Sequence, residues 1–279
     1  MRRAFHAAGV EPTVEYTRCG GDGARAAREL AASHDRLFVL GGDGTVMEAA
    51  TGLADAGSAA PIGILPAGTG NQLARPLSLP LSPRRAVARL LRGVPSRLDV
   101  AVLNGERRVG IGAGLGLDAA MIAGAQGALK RHLGAISYVV AATIAARRPR
   151  RFTVRAVVDG QVVEREATVA MVLNLGRVFN NLIEIAPGAS LVDGRLDLVV
   201  VDARSLSEAL GFSFLEMLLR RRRPDKRWTY MQGASVSIES ADPTIPAQVD
   251  GDLISASRLA MQVQPKGARF LVPLGSRVL

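Results

Sequence analysis

The sequence is poor in cysteine and in aromatic residues, and each shortage argues against a class of protein. Cys19 is the one cysteine among 279 residues, so no disulfide can form within the chain, and a secreted disulfide-stabilised fold is excluded. Aromatic residues make up 4% of the sequence, and binders of single-stranded nucleic acid stack bases on aromatic rings. We therefore expect a protein of a reducing compartment that has no nucleic-acid partner.

The sequence also lacks a hydrophobic run long enough to cross a membrane. Its most apolar window, His132–Ala146, would extend about 22 Å as a helix, against a hydrocarbon core of about 30 Å. We interpret the window as a buried core helix with basic ends, and an interfacial helix is the alternative. No apolar run of signal-peptide length occurs near Met1, so we expect a cytoplasmic protein.

Positive charge is in excess in this sequence. Lys and Arg number 35 against 25 Asp and Glu, which gives a net charge of +10 and a pI near 10.9. Such a chain usually binds an anionic partner, here a phosphorylated metabolite or an anionic membrane surface. The run Arg220–Arg223 follows an apolar stretch, Leu206–Leu219. This pattern is typical either of the solvated end of a core helix or of a helix that contacts a membrane, and both interpretations stay open.

The order of elements predicts two structural units. Strand-like segments at 36–40 and 61–65 alternate with helical segments at 24–32, 45–54 and 83–91. This alternation predicts βαβ units with a parallel sheet. From Leu98 onward, strand-like segments separated by short polar turns predict a mainly antiparallel unit, with helical stretches near 117–146 and 205–222. We place the boundary near residue 103.

The first residues differ from the usual start of an α/β nucleotide-binding domain. Met1–Gly9 has the composition of a helix end, and Val14–Tyr16 is the first strand-like piece. Such a domain normally opens on a strand that becomes the centre of its sheet. We therefore expect that first strand to be absent here, or to precede Met1.

Glycine-rich turns follow both predicted strands of the first unit. Gly41–Thr45 (GGDGT) lies between a strand and a helix, and Gly68–Asn71 (GTGN) follows the next strand. Glycines let the backbone approach an oxyanion closely, and the amides at a helix N-terminus point toward it. The motif is not a Walker A loop, because no lysine follows it. Two acidic turns come later, at Asp193-Gly194 and Asp250–Asp252; each alone is typical of an ordinary turn.

Together these motifs resemble the catalytic family of diacylglycerol, sphingosine and ceramide kinases, most closely its bacterial lipid-kinase branch. The segments that carry the resemblance are GGDGTVMEAATGL (41–53), GILPAGTGNQLAR (63–75), GLGLDA (114–119), ASLVDGRLDLVV (189–200) and VDGDL (249–253). They extend over nearly the whole chain.

The resemblance implies an α/β fold of two domains. The first, residues 1–103 completed by 266–279, would be a nucleotide-binding domain like that of NAD kinase and diacylglycerol kinase. The second, residues 104–265, would be a β-rich, β-sandwich-like domain, with ATP between the two. Nucleotide contacts would fall on Thr17, Gly41, Gly42, Asp43, Gly44, Thr45, Val46, Met47, Gly68, Thr69, Gly70 and Asn71.

The resemblance also implies Mg²⁺ and a catalytic carboxylate. The structural magnesium site would use Asp193 with backbone oxygens of Ser190 and Arg195. The catalytic carboxylates would be Asp252, Asp250 and Asp43. The proton acceptor among them would be Asp252, although some family members give this role to the residue that corresponds to Asp43. Two positions depart from the family pattern, because Met47 replaces the usual Asn and Asp252 the usual Glu.

We therefore predict an ATP- and Mg²⁺-dependent kinase that phosphorylates the hydroxyl of a diacylglycerol-type lipid at an anionic membrane surface. Peripheral membrane association would fit this activity, and the oligomeric state, including a homodimer, stays open. The alternatives are a catalytically inactive nucleotide- or lipid-binding relative, which the missing first strand favours, and an NAD kinase, which shares the GGDG turn. The GTGN segment and the DGD turn argue against an NAD kinase.

Overall fold

The computed structural model describes residues 2–116, 150–178, 183–184, 186, 188–203 and 227–276. Contacts divide the chain into two compact units, one formed by residues 1–100 with 264–279 and the other by residues 101–263. The helical stretches that the sequence predicts near 117–146 and 205–222, together with Arg220–Arg223, lie outside the described residues.

The first unit is an α/β unit. Its helices are α1 (Arg2–His6), α2 (Asp22–Leu30), α3 (Asp43–Asp55) and α4 (Pro83–Leu90), and its short strands are β1 (Leu37–Gly41) and β2 (Ile62–Pro66). The two strands are parallel, with Leu37 opposite Ile62 and Gly41 opposite Pro66. The predicted βαβ arrangement is therefore confirmed.

Local sequence explains where these elements begin. Helix α3 begins directly after Gly42, and α4 begins at Pro83, whose missing amide hydrogen costs nothing in the first turn. Ser82 occupies the N-cap position of α4, but its side chain makes no hydrogen bond to the helix. The strand predicted at Val14–Tyr16 does not form, because a strand needs a hydrogen-bonded neighbour and no described segment pairs with it.

The core of the first unit lies between its helices and β2. All five residues of β2 are buried, as are Val46 and Leu53 of α3 and Leu90 of α4. The ring of Phe5 in α1 packs edge-on against Phe38 of β1 at 5.0 Å between centroids. Close packing of the helices is visible at Gly52, where a Cβ atom would lie 2.0 Å from the Ala24 carbonyl oxygen.

The remaining strands belong mainly to the second unit. They are β3 (Val94–Leu103), β4 (Arg107–Val109), β5 (Gly112–Gly116), β6 (Phe152–Val158), β7 (Gln161–Ala167), β8 (Val169–Leu173), β9 (Arg177–Val178), β10 (Ile183–Glu184), β11 (Leu196–Val201), β12 (Trp228–Gly233), β13 (Ser235–Ser240), β14 (Ala247–Val249), β15 (Asp252–Ile254) and β16 (Arg258–Val272). β16 begins in the second unit and ends in the first, where Phe270 pairs with Ile62 of β2.

Two antiparallel sheets enclose the core of the second unit. One has the strand order β12-β11-β8-β5-β14-β15, and the other contains the first part of β16 beside β13, β6 and β7. Buried side chains of both sheets, such as Leu198, Val172, Ile238 and Val154, form one apolar cluster. The predicted β-sandwich-like unit is therefore confirmed. Among the described helices, none is long and apolar enough to span a membrane.

Candidate functional site

The two glycine motifs of the first unit begin at neighbouring strand ends. β1 and β2 are parallel, so their carboxyl ends lie at the same edge of the sheet, where α/β proteins bind their ligands. The amide of Ala67 donates a hydrogen bond to the carbonyl oxygen of Gly41 at 2.9 Å, and this bond joins the two turns directly after their strands. The structure therefore brings together the segments 41–47 and 67–73.

Asp43 ties the two motifs to each other. Its Oδ2 atom accepts a hydrogen bond from the Gln72 amide at 2.9 Å, and its Oδ1 atom accepts one from the Leu73 amide at 3.0 Å. Both carboxylate oxygens are therefore engaged by the two backbone amides that directly follow the second motif. The observed contacts of Asp43 are those of a residue that orders the loop.

The glycines allow the two turns to pack backbone against backbone. A Cβ atom on Gly68 would lie 2.5 Å from the Cα atom of Gly42, a separation that real Cβ atoms do not show. Asn71, in the left-handed region at φ +48°, accepts a hydrogen bond from the Gly68 amide at 2.9 Å and donates one to the Gly68 carbonyl oxygen at 2.6 Å. The GTGN turn is therefore held from within as well as by Asp43.

The side chains of the predicted nucleotide site differ in what they can contact. Those of Val46 and Met47 are buried in the core, so only the backbone of these residues can reach a ligand. A Cβ atom on Gly44 would meet nothing within 4 Å, so this position is open to a ligand. Thr17 and Thr69 are exposed. Side-chain contacts to a nucleotide are therefore available from the two threonines, and backbone contacts from the glycine turn.

The acidic turn near the end of the second unit has one half-buried and one exposed carboxylate. Asp250, at φ +50°, accepts hydrogen bonds from the amides of Gly110, Ile111 and Gly112 at 2.8–3.0 Å. Burial raises the pKa of Asp250, and these three hydrogen bonds act in the opposite direction. Its contacts fix the position of the turn against β5.

Asp252, the predicted proton acceptor, begins β15 on the far side of the same turn. Its side chain is 66% exposed, and its Oδ2 atom lies 3.2 Å from a guanidinium nitrogen of Arg107. An exposed carboxylate beside one cation is free to meet an incoming hydroxyl group. The arrangement can therefore serve as a general base, with Arg107 as a nearby positive charge.

Asp193 lies in a tight turn before β11, and its Oδ1 atom accepts a hydrogen bond from the Arg195 amide at 3.0 Å. Ser190 orders the same turn, since its hydroxyl oxygen accepts a hydrogen bond from the Val192 amide at 3.3 Å. Among the described residues, no group of three or more His, Cys, Asp and Glu side chains is placed to hold a metal ion.

Asp197 lies near this turn and did not stand out in the sequence. It is buried in β11, and its Oδ1 atom accepts hydrogen bonds from the Tyr230 hydroxyl and from Gln232. Its Oδ2 atom is buried without a hydrogen-bond partner among the described residues. Burial raises the pKa of Asp197, the two hydrogen bonds oppose this, and the charge of Asp193 adds to the increase. The pattern DGxxD is its only signal in the sequence.

Comparison with known protein families explains this set of turns. A family model described as the diacylglycerol kinase catalytic domain matches residues 1–103, and one described as the YegS C-terminal NAD kinase beta sandwich-like domain matches residues 112–272. The chain belongs to the diacylglycerol kinase catalytic family. The resemblance that the glycine and acidic motifs indicate is therefore confirmed.

Individual relatives match the chain over most of its length. A diacylglycerol kinase of Bacillus subtilis is 31% identical over 206 residues, which are 73% of this chain and 67% of that protein. An uncharacterized protein of Synechocystis is 27% identical over 241 residues; the match covers 85% of this chain but only 55% of the longer relative. A crystal structure of a Bacillus anthracis protein matches with a TM-score of 0.78 at 25% identity and covers 96% of this chain and 88% of its own.

Two further contacts of this family member could not be found from motif spacing. Glu48 of α3 accepts hydrogen bonds from the amides of Gly21 and Gly23, and Arg107 of β4 lies beside Asp252. These partners are 25 to 145 residues apart in the sequence. The position of Glu48 near the start of α3 does not indicate, from the sequence alone, that its carboxylate binds two distant backbone amides.

Proposed function

We propose that this chain is an ATP-dependent lipid kinase that transfers the γ-phosphoryl group of ATP to the hydroxyl of a diacylglycerol-type lipid. The observation that carries the proposal is the pair of glycine turns at the ends of β1 and β2, held together by both carboxylate oxygens of Asp43. Two ordered turns at the carboxyl end of parallel strands offer backbone amides to phosphate oxygens.

ATP would be bound mainly by backbone groups of the first unit. The amides of Gly42–Thr45 open helix α3, whose N-terminus favours negative charge. Thr17 and Thr69 are exposed and can donate hydroxyl hydrogen bonds to the nucleotide. Since Met47 is buried, its replacement of the usual Asn removes a side-chain donor without opening the core.

Asp252 would accept the proton of the lipid hydroxyl. The hydroxyl oxygen attacks the γ-phosphorus, the bond from that phosphorus to the bridging oxygen of ADP breaks, and the proton passes to the Asp252 carboxylate. Asp252 suits this role better than Asp43, because both oxygens of Asp43 already accept backbone hydrogen bonds whereas Asp252 is exposed. Asp250 would position the turn that carries Asp252.

Mg²⁺ would be held through Asp193, with backbone oxygens of Ser190 and Arg195. The residues fit a cation in one respect, because the buried Oδ2 atom of Asp197 has no hydrogen-bond partner among the described residues and Asp193 is near enough to raise the pKa of Asp197. Mg²⁺ is commonly bound by one or two carboxylates, phosphates and water, so a larger acidic cluster is not needed. When bound, Mg²⁺ neutralises phosphate charge.

The lipid would be met at an anionic membrane surface on the cytoplasmic side. The support is electrostatic: the chain carries a net charge of +10, and such a chain is attracted to anionic lipid. A lipid kinase must reach a hydroxyl at headgroup level, and peripheral attachment is sufficient for that.

Transfer of labelled phosphate tests the proposal. The purified chain is incubated with γ-labelled ATP, Mg²⁺ and mixed micelles that contain diacylglycerol, and a parallel reaction replaces the lipid by NAD. We expect labelled phosphatidic acid and no labelled NADP. Labelled NADP would support an NAD kinase instead. ATP binding without label in either acceptor, or in extracted host lipids, would support the inactive relative.

A further inference from the structure

Glu48 makes a second connection between the glycine turn and a distant segment. It lies on α3, five residues beyond Asp43. Its Oε1 atom accepts a hydrogen bond from the Gly21 amide, and its Oε2 atom accepts one from the Gly23 amide, both at 3.0 Å. These amides open helix α2, whose N-cap residue Gly21 has no side chain that could accept them. The carboxylate of one helix therefore caps the other.

The backbone around Gly21 and Gly23 is shaped to receive this carboxylate. Gly21 has φ +88°, which favours glycine, and a Cβ atom on Gly23 would lie 2.7 Å from Oε2 of Glu48. The same Cβ atom would lie 3.5 Å from the carbonyl oxygen of Thr45. Residue 23 therefore packs directly against the start of α3, which carries the predicted phosphate-binding turn.

A further carboxylate extends the connection toward Thr17. The Oδ2 atom of Asp22 accepts hydrogen bonds from the amides of Arg18 at 2.8 Å and Cys19 at 3.2 Å. These hydrogen bonds lower the pKa of Asp22, so it stays ionised at neutral pH. Thr17 directly precedes Arg18 in the chain and is exposed. The carboxylates of Glu48 and Asp22 therefore bind backbone amides of the segment 18–23, which directly follows Thr17.

We propose that Glu48 is a positioning residue for the nucleotide: it fixes the segment 17–23 to α3, so that Thr17 and the glycine turn present one prearranged binding surface. The inference rests on the proposed function as far as ATP is the ligand. An ionised carboxylate is suited to this role, because it can accept both amides and carries negative charge to a helix N-terminus. A glutamine offers a single acceptor, and its NH₂ group would face the second amide.

Glu48→Gln tests the inference against Glu29→Gln as the matched control. Glu29 lies on α2, is 59% exposed and pairs with Arg25 on the surface. ATP affinity is measured by calorimetry, and KM and kcat are measured for both substrates. For Glu48→Gln we expect the Kd and KM for ATP to rise about tenfold, with kcat and the KM for lipid within about twofold of wild type. Glu29→Gln should match wild type throughout.

Gly23→Ala is the second variant, because its Cβ atom would displace the Glu48 carboxylate without removing it. Like Glu48→Gln, it should lower the affinity for ATP. It therefore tests the inference even if Glu48→Gln cannot be purified in folded form. Unchanged ATP affinity in either folded variant would overturn the inference. A fall in kcat and a rise in both KM values by the same factor would also overturn it. If the wild-type chain itself does not bind ATP, the proposed function fails, and that outcome is separate from a failure of Glu48.

Discussion

At the scale of single residues, the carboxylates of Asp43, Glu48 and Asp250 hold backbone segments, whereas that of Asp252 faces solvent. Asp43, Glu48 and Asp250 each accept two or three backbone amides from a distant segment. Asp252 is exposed and contacts the side chain of Arg107. Hydrogen bonds from backbone amides stabilise a carboxylate in its charged form. A general base, in contrast, must be free to accept a proton. This difference is why we assign the proton to Asp252.

Asp43→Asn tests the ordering role of the first carboxylate. An amide keeps one acceptor for the Gln72 or Leu73 amide and directs its NH₂ group at the other. We expect the free energy of unfolding of the variant to fall by about 1–2 kcal/mol, and its turnover to be lost. Urea denaturation measures the free energy of unfolding. The control is Asp55→Asn at the other end of α3, whose exposed ion pair with Arg28 contributes at most about 1 kcal/mol. A loss no larger than that of the control would contradict the role.

Asp197 gives a prediction about pH. Burial raises its pKa above the ordinary value of 3.8, hydrogen bonds from Tyr230 and Gln232 oppose this, and Asp193 adds to the increase. A carboxyl whose folded pKa is raised stabilises the fold fully below pH 3.8 and loses that contribution as pH rises through the folded pKa. Asp197→Asn does not titrate.

The stability difference between this variant and wild type should therefore shift in favour of Asp197→Asn as pH rises from 3.8 toward neutrality. Thermal melts in buffers that contain a chelator measure it, because a bound cation would lower the pKa. A difference that stays constant across this range would contradict the raised pKa.

At the scale of elements, the pattern of residues predicts the type and order of elements but not their partners. It predicts a helix over 45–54, and α3 runs from Asp43 to Asp55, because glycines and apolar spacing mark its limits locally. It also predicts a strand at Val14–Tyr16, which does not form, because strand formation depends on a neighbour that the local pattern does not supply. The glycine turns are visible in the sequence, whereas the hydrogen bonds that Asp43 and Glu48 accept come from backbone amides 25 to 30 residues away.

The contact between the two glycine turns predicts the effect of Gly68→Ala. The added Cβ atom would lie 2.5 Å from the backbone of Gly42, so the turns must separate. We expect a loss of about 1–3 kcal/mol in unfolding free energy and weaker ATP binding. Gly44→Ala is the comparison for stability alone, since its Cβ atom meets nothing within 4 Å and the position is helical. Denaturation of both variants measures the effect. Equal stability in the two would mean that the turns are not packed together.

At the scale of the whole molecule, the sequence allows the two units and the excess of positive charge to be recognised. The change from alternating segments to strand-rich segments follows from residue patterns that repeat every few positions, so it can be predicted from the chain alone. The residues that hold the loops of a site in place cannot be predicted in this way, because their hydrogen-bond partners come from other elements. The basic run Arg220–Arg223, which lies outside the described residues, is the strongest local charge cluster in the chain.

Membrane attachment through this run should be electrostatic. Each arginine near an anionic surface contributes about 1 kcal/mol, so replacing Arg220–Arg223 by Gln should weaken vesicle binding by about two to three decades at most. Binding of wild type should fall as salt rises, because attraction is screened within about 8 Å at physiological ionic strength. Sedimentation with anionic and zwitterionic vesicles measures this. Activity on a short-chain soluble acceptor should be retained; equal loss on soluble and vesicle substrates would contradict a docking role.

Phosphate transfer by wild type and by Asp252→Asn tests whether the chain is a lipid kinase with Asp252 as its proton acceptor. ATP affinity is measured on the same preparations. We expect wild type to label diacylglycerol from γ-labelled ATP, and Asp252→Asn to bind ATP equally well but to label the lipid about 10²- to 10⁴-fold more slowly. Labelling at the wild-type rate by Asp252→Asn would contradict Asp252 as the proton acceptor. The absence of any labelled lipid with wild type would contradict the lipid kinase itself.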